Sequence, residues 1–549
     1  MNNKSKRWEI VSEVKTKGKL GIKKIERVLL TNRGIKSDKE RKEFFIPTDP
    51  LKLSLKSLGI KVDQVVKAKT RILKARKTKE LVIVYGDYDA DGICGTAVLW
   101  ERLYALGLNV LPYIPERFSE GYGLNSESIK KLKEEHPDLG LIITVDHGIV
   151  AGAKVEIAKK LGVDIIISDH HEPGKKKPKA FAVIHTTKIG GAAVAWILAR
   201  EVKKVRSGLD LVAIGTIADQ LSLVGANRSF AKWGLKELNV TERAGLNALY
   251  EEAGIVKGEI GPYEVGFLIA PRINAMGRLV HAIDSLRLLC VKNRERAREL
   301  AQLLNKTNLE RQRIVEEVVL KARGEVGKEE GIIILAHESY HEGVIGLAAA
   351  KLVEEFYRPA IVISKKGNIA KASARSINGF NIIETIRKVE GYLLEGGGHP
   401  MAAGFSIETA KIDAFRKEIN KISRPLLTEE ILTKRLRIDL VVPFSDLGEK
   451  LLTLVKSFEP AGLGNPAPTF TTRGVTIIEA RKVGADGRHL KLKISEGDVL
   501  FDGIGFSLGG RYQELSPEKK MDIVYNLEEN LYNGRRSLQL KIKDLRLSH

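Results

Sequence analysis

Short apolar runs alternate with polar loops and helix-length segments through residues 81–223. Strands that alternate with helices form βαβ units, and right-handed crossovers then give a parallel sheet with helices on both faces. We therefore predict an α/β domain over residues 45–225, with a helix pair at its start between 45 and 76. The apolar runs that we interpret as strands are 81–85, 110–114, 141–145, 164–168 and 181–184.

On either side of this domain the pattern changes. Residues 1–44 are basic and weakly patterned, and we interpret them as an arm laid over a neighbouring domain. Residues 226–328 have helical spacing and end in a long amphipathic stretch at 294–323, which predicts a long helix that connects two lobes.

The last part of the chain predicts two further domains. Apolar runs at 331–335 and 360–364 flank a helical segment at 343–356, which indicates a second, smaller α/β domain over residues 329–424. Residues 434–549 have a β pattern with hairpin signals at Asp486-Gly487 and Asn533-Gly534. Strands joined by hairpins suit a small β-barrel. The predicted strands are 435–440, 475–481, 489–494, 521–527 and 538–542.

Composition adds the class of partner. The 549 residues are too many for a single core and, with 43% hydrophobic and 29% charged residues, are typical of a soluble globular protein. Lysine and arginine number 91 against 69 acidic residues, which leaves a net charge of +22. Such an excess favours a polyanionic partner, most often nucleic acid; a basic proteome or a heat-adapted surface is the alternative.

The same composition argues against export and membrane insertion. Cys94 and Cys290 are the only cysteines, too few for a disulfide framework or a zinc-finger set. The start of the chain lacks the apolar core of a secretory signal, and no apolar run approaches the ~20 residues of a membrane span. We expect a cytoplasmic protein without a membrane partner.

Acids and imidazoles follow three of the predicted strands. The carboxyl ends of parallel strands lie at one edge of a sheet, so we expect these side chains to converge. A further acid, Asp219, ends a segment of small residues that would let a helix approach the same edge closely. The residues that follow the three strands are Asp87, Asp89 and Asp91, then Asp146 and His147, and then Asp169, His170 and His171.

Five of these residues have the chemistry of a hard-metal site. Their donors are oxygens with one imidazole, a set that suits Mn²⁺ or Mg²⁺ better than zinc. Two cations would neutralise so many acids, and paired ions are the usual arrangement for in-line phosphoester hydrolysis, with Asp146 as our choice of bridge. A calcium loop is the alternative for Asp-x-Asp-x-Asp-Gly, but Val98 stands where its glutamate belongs. The proposed metal ligands are Asp89, Asp91, Asp146, His170 and Asp219.

The remaining polar residues of this edge receive other roles. Neighbouring side chains point apart, so we expect His170 to bind the metal and His171 to contact the phosphate or protonate the leaving group. Asp169 is expected to brace a turn or an imidazole. His147 fits equally well as loop filler or as a substrate contact.

Four motifs resemble, in chain order, those of the DHH phosphoesterase superfamily. They are Gly-Asp-Tyr-Asp-Ala-Asp-Gly at 86–92, Thr-Val-Asp-His-Gly at 144–148, Ser-Asp-His-His at 168–171 and Gly-Thr-Ile-Ala-Asp at 215–219. Later motifs resemble the RecJ exonuclease branch of that superfamily. These include Ala-Pro-Arg-Ile-Asn-Ala-Met-Gly-Arg-Leu at 270–279 and Gly-Gly-Gly-His-Pro-Met-Ala-Ala-Gly at 396–404.

The resemblance implies a function. Members are single-stranded-DNA-specific exonucleases that run 5′ to 3′ with two divalent ions, Mn²⁺ or Mg²⁺, and release 5′-mononucleotides in DNA repair and recombination. It also implies an OB-fold for the C-terminal barrel, a monomer, and a single-stranded-DNA-binding protein and helicases as further partners. Two positions depart from the family: Tyr85 replaces a histidine, and His147 replaces asparagine or cysteine. We expect Asp87 to compensate at the first metal as a catalytic or supporting acid.

Substrate-binding residues also follow from the resemblance. Glycines at 396–398 are expected to precede a short helix at Met401, whose N-terminus would hold a phosphate. Lys491, Lys493, Lys541 and Lys543 could line a path for the DNA backbone or an ordinary solvated face. The residues assigned to substrate are Arg117, Arg272, Arg278, Ser373, Arg375, Gly397, Gly398 and His399.

Two rival functions stay open. One is a DHH enzyme that cleaves cyclic dinucleotides or very short RNA, against which the charge and the C-terminal β domain argue. The other is a catalytically inactive scaffold that only binds single strands during replication. Such scaffolds lose metal carboxylates, whereas this chain retains the five proposed ligands.

Overall fold

The computed structural model describes residues 6–14, 19–326, 331–516, 518–532 and 535–548. The chain divides into two compact units. The larger unit contains Trp8–Asn274, Ala282–Ala301 and Leu436–His549, and the smaller unit contains Met1–Arg7, Ala275–His281 and Gln302–Arg435. Within the described ranges, every helix is too short or too polar to span a bilayer.

The N-terminal segment is more ordered than its weak pattern predicts. It contains β1 Arg7–Ile10, α1 Ile22–Thr31, α2 Asp38–Phe45, α3 Leu55–Leu58 and α4 Val62–Thr78. Helix α1 buries Ile25, Leu29 and Leu30 in the core of the C-terminal β domain. These helices therefore pack against core residues about 400 positions away in the chain, while the arm with limits 1–44 stays a prediction.

The predicted parallel sheet is confirmed. Its strands lie in the order β3-β2-β4-β5-β6, and every pair is parallel. Strand β2 is buried along its whole length, as its unbroken apolar run requires. The elements of this region are β2 Leu81–Gly86, α5 Ala90–Ala105, β3 Val110–Tyr113, α6 Ser126–Glu135, β4 Leu139–Val145, α7 Gly152–Lys160, β5 Asp164–Asp169, β6 Ala182–His185, α8 Gly191–Val202 and α9 Leu209–Ala218.

The following region is helical, as its periodicity predicts. The long helix expected at 294–323 is observed as α14, over Arg294–Glu325. The preceding helices are α10 Gly225–Val240, α11 Ala244–Ala253, a π-helical segment at Glu264–Ile269, α12 Ala270–Leu279 and α13 Ile283–Cys290.

A second α/β domain follows within the smaller unit. Its five strands lie in the order β10-β11-β9-β8-β7, with β7 and β8 parallel and the others antiparallel. Its elements are β7 Ile333–His337, α15 Ile345–Phe356, β8 Ala360–Lys366, β9 Ile369–Arg375, α16 Ile382–Arg387, β10 Leu393–His399, β11 Ala402–Glu408, α17 Ile412–Ser423 and α18 Glu429–Leu432.

The helix predicted at Met401 is wrong. Residues 393–399 form strand β10, and Pro400 and Met401 make the hairpin turn to β11. Small residues face each other across this hairpin, and Gly398, at φ +151°, leaves no room for a Cβ beside the carbonyl of Ala402. The glycines thus serve close strand pairing, and the anion site expected at a helix N-terminus does not form here.

The C-terminal β domain closes into a five-stranded barrel. Strands lie in the order β14-β15-β16-β18-β17, and β14 also pairs with β17. The Asp486-Gly487 turn joins β14 and β15 as predicted, whereas Asn533-Gly534 lies outside the described residues. The pattern missed β16, whose glycines at 503 and 505 obscure its alternation. The elements are β12 Arg435–Ile438, β13 Leu440–Val441, α19 Glu449–Ser457, β14 Phe470–Val483, β15 His489–Glu496, β16 Val499–Gly505, β17 Lys520–Tyr532 and β18 Arg535–Leu547.

Candidate metal centre

The acids and imidazoles that follow β2, β4 and β5 lie together at one edge of the parallel sheet. These three strands are direct neighbours, so their carboxyl ends deliver Asp87, Asp146 and His170 to adjacent positions. We name the five carboxylates of this edge the acid cluster, consisting of Asp87, Asp89, Asp91, Asp146 and Asp219.

The turn after β2 is organised by helix α5. Asp89 is the N-cap of that helix, and its Oδ1 accepts hydrogen bonds from the backbone N–H of Asp91 at 2.9 Å and of Gly92 at 3.0 Å. Gly92 lies inside the helix, where a Cβ would lie 2.6 Å from Asp87 Cβ. Glycine is therefore required there because the chain approaches Asp87 closely.

Two other glycines let helices α8 and α9 approach the acids. Asp91 accepts hydrogen bonds from the N–H groups of Gly191 at 2.7 Å and Ala192 at 3.0 Å, at the start of α8. A Cβ at Gly191 would collide with Asp146, and one at Gly215 in α9 would collide with Asp91. Small residues thus admit the helix that ends at Asp219, as predicted.

The acid cluster together with His170 contains two groups of three potential ligands. Asp91, His170 and Asp219 form one group, and Asp87, Asp89 and Asp146 form the other, with the ligand atoms of each within 4.8 Å of one another. His170 Nε2 connects the groups, because it lies 3.0 Å from Asp146 Oδ1, 3.6 Å from Asp219 Oδ2 and 3.9 Å from Asp91 Oδ2. The two groups of potential ligands therefore meet at the close approach of His170 Nε2 and Asp146 Oδ1.

Burial and mutual repulsion raise the pKa values of the cluster. Burial, and then the charge of Asp89, raises the pKa of Asp91 to about 7. Burial, and then Asp91, raises the pKa of Asp219 to about 8 and that of Asp146 well above its usual range. Burial lowers the pKa of His170 to about 4, which leaves a neutral imidazole, the form that binds metals.

These properties fit divalent cations. Asp87 Oδ1 is buried and accepts no hydrogen bond from any described residue, although it faces other carboxylates. Acids held together without counter-charge are costly, and a cation among them would replace repulsion by attraction. Oxygen donors with one or two imidazoles suit Mn²⁺ or Mg²⁺.

Asp169 differs from the cluster because it is fully engaged by donors. It accepts hydrogen bonds from the N–H groups of Ile149, His170 and His171 and lies 2.8 Å from His171 Nδ1. Burial alone would raise its pKa, but the hydrogen bond and charge of His171 outweigh burial and lower the pKa to about 2. In return, Asp169 outweighs the burial of His171 and raises the pKa of that imidazole. Asp169 therefore braces both the turn and the ring.

The expectation that His170 and His171 point apart is wrong. Their ring centroids are 4.5 Å apart, and Asp146, His170 and His171 form a third group of potential ligands within 4.8 Å. Both residues follow β5 in a bend, where the alternation of an extended strand no longer separates neighbours.

The two departures from the family pattern pack against each other. Tyr85 is fully buried in the core beneath the sheet, and its ring centroid lies 5.3 Å from that of His147. His147 is 1% exposed and its Nε2 lies 3.0 Å from the carbonyl oxygen of Tyr85. His147 is therefore loop filler, and the Tyr85 ring belongs to the core instead of the acid cluster.

Two polar residues of the site escaped the sequence interpretation. The Tyr122 hydroxyl lies 3.2 Å from the carbonyl oxygen of Asp146 and 3.3 Å from His171 Nε2. Asn274 Oδ1 accepts a hydrogen bond of 2.7 Å from the N–H of Ala90, at the start of α5. Asn274 lies within the motif at 270–279, which was the available signal, whereas Tyr122 lies outside the motifs given above.

The arginines of the larger unit are placed differently. The Arg117 guanidinium lies 5.1 Å above the ring of Tyr88, between Asp87 and Asp89 in the sequence, and so stands beside the acid cluster. Arg272 donates to the carbonyl of Leu268, 2.7 Å away in the same helical segment.

The smaller unit aligns most of its predicted substrate residues on one face of its sheet. Arg375, Ala402 and His399 are in register across β9, β11 and β10, and so are Ser373, Gly404 and Gly397. Directly paired residues share a face. Arg375 Nη1 donates to Ser373 Oγ at 3.1 Å, and both side chains lie beside Gly346 in α15. We name these two aligned triplets the Arg375 row.

Arg278 lies near the same helix. Its guanidinium is 3.4 Å from the carbonyl oxygen of Gly343, three residues before Gly346. Gly398, in contrast, faces Ala403 of the neighbouring strand and contributes its conformation rather than a binding surface.

Three family models match the chain. Residues 81–216 match the DHH family, N-terminal domain; residues 329–424 match the DHHA1 domain; and residues 438–544 match the RecJ OB domain.

Curated relatives match most of the chain. The single-stranded-DNA-specific exonuclease RecJ of Bacillus subtilis (strain 168) is 36% identical over 99% of this chain and 71% of its own length. The protein of the same name from Escherichia coli (strain K12) is 30% identical over 94% of this chain and 95% of its own length. The crystal structure of RecJ in complex with Mn²⁺ from Thermus thermophilus is similar with a TM-score of 0.84 and 30% identity, over 98% of this chain and 79% of that chain. The Mg²⁺ complex from the same organism gives a TM-score of 0.77 and 28% identity, over 98% and 78% of the two chains.

Proposed function

The chain belongs to the RecJ family, and on that premise we propose that it is a single-stranded-DNA-specific exonuclease that hydrolyses phosphodiesters with two divalent metal ions. The observation that carries the proposal is the pair of ligand groups that meet between Asp146 and His170. We assign Mn²⁺ first and Mg²⁺ second, because relatives hold both ions and the donors suit both.

The metal ligands are Asp89, Asp91, Asp146, His170 and Asp219, with Asp87 beside them. When bound, two ions would supply charge neutralisation and an activated water for in-line hydrolysis. The chain itself fixes the geometry: backbone N–H groups of α8 hold Asp91, and the N-cap position holds Asp89. A buried, neutral His170 places its Nε2 among three carboxylates without adding a competing positive charge.

His171 is the candidate proton donor to the leaving oxygen. Asp169 keeps the imidazole oriented and raises its pKa, which favours the protonated ring near neutral pH. The Tyr122 hydroxyl lies 3.2 Å from the carbonyl oxygen of Asp146 and 3.3 Å from Nε2 of His171. A raised pKa keeps that hydroxyl protonated, so it can donate to substrate while its oxygen accepts from the Nε2–H of the protonated His171.

Substrate phosphates are assigned to Arg117, Arg272, Arg278 and the Arg375 row. Arg375 is the strongest candidate because it is largely buried and makes no ion pair with any described residue. Burial lowers its pKa, and an anion on the open face of Ala402 and Gly404 would compensate the buried charge. Gly397 and His399 lie on that face in the neighbouring strand, and Gly398 supplies the backbone conformation between them.

We assign the barrel to binding the single-stranded DNA that extends beyond the metal centre. Lys491, Ile504 and Lys541 are aligned across β15, β16 and β18, which corresponds to the face that OB-folds use for oligonucleotides. Phe506 is 52% exposed beside this line, with Lys541 Nζ 5.5 Å and the His489 ring 5.2 Å from its centroid. Of the other predicted lysines, Lys493 pairs in register with Asp502, and Lys543 donates to Thr469 Oγ1.

The finer properties rest on family membership. We propose 5′ to 3′ polarity, release of 5′-mononucleotides, a role in DNA repair and recombination, a cytoplasmic monomer, and a single-stranded-DNA-binding protein and helicases as partners. We also propose the domain limits 45–225, 226–328, 329–424 and 434–549 given above.

Product analysis tests the proposal. Single-stranded DNA and RNA with labels at the 5′ or the 3′ end would be digested with Mn²⁺ or Mg²⁺, beside a cyclic dinucleotide. We expect labelled mononucleotide from 5′-labelled DNA at the earliest times and a shrinking ladder from 3′-labelled DNA. Faster cleavage of the cyclic dinucleotide, or no cleavage of any substrate, would contradict the proposal.

A further inference from the structure

A tight loop of the C-terminal β domain reaches the segment that follows Asp219. The loop comprises residues 459–466, after α19, and closes through two backbone hydrogen bonds between Gly462 and Asn465. Asn465 is fully buried; its amide donates to the carbonyls of Phe458 and Pro460 and its Oδ1 accepts from Arg33 at 2.9 Å. The loop is therefore held from inside its own domain.

The tip of this loop contacts residues 222–224. The Leu223 N–H donates to the carbonyl of Leu463 at 2.7 Å. Gly464, at φ +74°, lies so close that a Cβ would collide with Ser222 Oγ, and a Cβ at Gly462 would lie 2.7 Å from Leu223 Cδ1. Both glycines are thus fitted to the segment between Asp219 and helix α10.

Helix α10 is fastened to the same loop. Arg228 is 1% exposed and lies 4.0 Å above the ring of Phe44. Its guanidinium donates to the carbonyls of Phe44 at 2.7 Å, Glu459 at 2.8 Å and Pro460 at 3.2 Å. The loop therefore fixes both the segment after Asp219 and the helix into which that segment runs.

Asp219 is the ligand that most depends on such support. It caps the end of α9, and its side chain is 34% exposed, whereas those of Asp91 and Asp146 are 1% and 2% exposed. Its carboxylate accepts no hydrogen bond from any described residue, while Asp91 is held by two N–H groups. Repulsion from neighbouring acids would push an unsupported Asp219 toward solvent.

We propose that the loop 459–466 of the C-terminal β domain is a positioning element for Asp219, and that it sets the affinity of the centre for divalent metal. The inference rests on the proposed function for the identity of the centre. It makes the C-terminal β domain part of the metal site's support in addition to its proposed role in binding single-stranded DNA.

Gly464→Ala, measured by calorimetric Mn²⁺ binding to the full chain without DNA, tests this. We expect about tenfold weaker binding, the lower range for lost support of metal ligands. Gly474→Ala is the matched control, because Gly474 has φ +67° in the same domain but nothing within 4 Å of a Cβ. Gly474→Ala carries the same cost of placing alanine at a positive φ and should leave the Mn²⁺ affinity unchanged.

Rescue separates positioning from general destabilisation. Ser222→Gly removes the atom that the new Cβ meets, so the Ser222→Gly/Gly464→Ala double variant should regain at least half of the lost binding free energy relative to Ser222→Gly alone. If Gly464→Ala does not fold, Gly462→Ala takes its place, since Gly462 has no positive φ and would press only on the flexible end of Leu223.

The outcomes are distinct. Equal Mn²⁺ affinity in the wild type and the folded loop variant, or no rescue by Ser222→Gly, overturns the positioning role and leaves the nuclease proposal intact. A wild type that binds Mn²⁺ but cleaves no DNA overturns the nuclease proposal and leaves the loop inference intact.

Discussion

The acid cluster of the larger unit gathers five carboxylates, whereas the Arg375 row of the smaller unit contains a largely buried guanidinium without an ionic partner among the described residues. Burial disfavours the charged form of the side chains in both regions. It raises the pKa values of Asp91, Asp146 and Asp219 and lowers the pKa of Arg375. Among the described residues, the charges of Arg117 and His171 offset only part of the repulsion in the acid cluster, and Arg375 makes no ion pair. On the proposed function, the first region would bind cations and the second would bind anions.

The largest effect should follow from Asp146→Asn. Loss of the shared ligand should lower nuclease activity at least about 10³-fold, because a few kcal/mol of metal-derived stabilisation would be lost. The metal-free Tm should stay the same or rise, since one repelled carboxylate is removed, and the Mn²⁺-induced rise in Tm should disappear. Scanning calorimetry with and without Mn²⁺ measures the metal-free Tm and the Mn²⁺-induced rise in Tm.

Asp413→Asn is the control, because Asp413 is exposed on α17 and belongs neither to the acid cluster nor to the Arg375 row. An Asp146→Asn protein that keeps its Mn²⁺-induced rise in Tm would remove Asp146 from the metal ligands.

Arg375→Gln tests the opposite region. A charge-assisted hydrogen bond to phosphate is worth about 1.5–3 kcal/mol, so kcat/KM on single-stranded DNA should fall about 10- to 100-fold. Arg375→Lys should not restore it, because an ammonium does not reproduce the planar guanidinium fork. Mn²⁺ binding should stay unchanged, which isothermal titration would verify.

Arg323→Gln provides the matched arginine, since Arg323 is exposed and already paired with Glu355 in the same unit. If both substitutions lowered kcat/KM equally, general charge and not the Arg375 row would explain binding.

Phe506→Ala tests whether the barrel adds stacking to charge. Stacking of a base on an aromatic ring is worth about 1–3 kcal/mol, so long single strands should bind roughly tenfold more weakly. Leu500→Ala, at a residue equally exposed on the adjoining β16, should have little effect. Fluorescence anisotropy at two salt concentrations would show an unchanged salt slope if the ring stacks and the lysines supply the charge.

Asp169→Asn should give the smallest and most specific effect. In the wild type, Asp169 raises the pKa of His171, so the protonated ring persists to higher pH. The amide cannot supply that charge; the pKa of His171 should fall and the alkaline limb of the pH–rate profile should move to lower pH. An unchanged limb would show that His171 does not act as the acid.

The strands of the parallel sheet could be predicted from the sequence because buried parallel strands give unbroken apolar runs. The polar residues of the site could be predicted because acids directly after such runs lie at one edge of the sheet. Four of the five proposed ligands were predicted from such strand ends, and Asp219 was predicted from the small residues of the helix that precedes it. The hairpin at 393–408 was not, because local glycine content fits a helix start as well as a strand and only the pairing with β11 decides between them.

The sequence by itself determined the parallel sheet, the acids at its edge, the long helix and the β character of the C-terminal region, since each follows from local periodicity or from position relative to a strand. Tertiary structure alone decided which groups face one another. It placed His171 beside His170, buried His147 against Tyr85, aligned Arg375 with His399, and brought residues 459–466 to the segment after Asp219. Apart from the neighbouring His170 and His171, whose contact depends on a backbone bend, such contacts join residues tens to hundreds of positions apart, and no local pattern of apolar and polar residues encodes them.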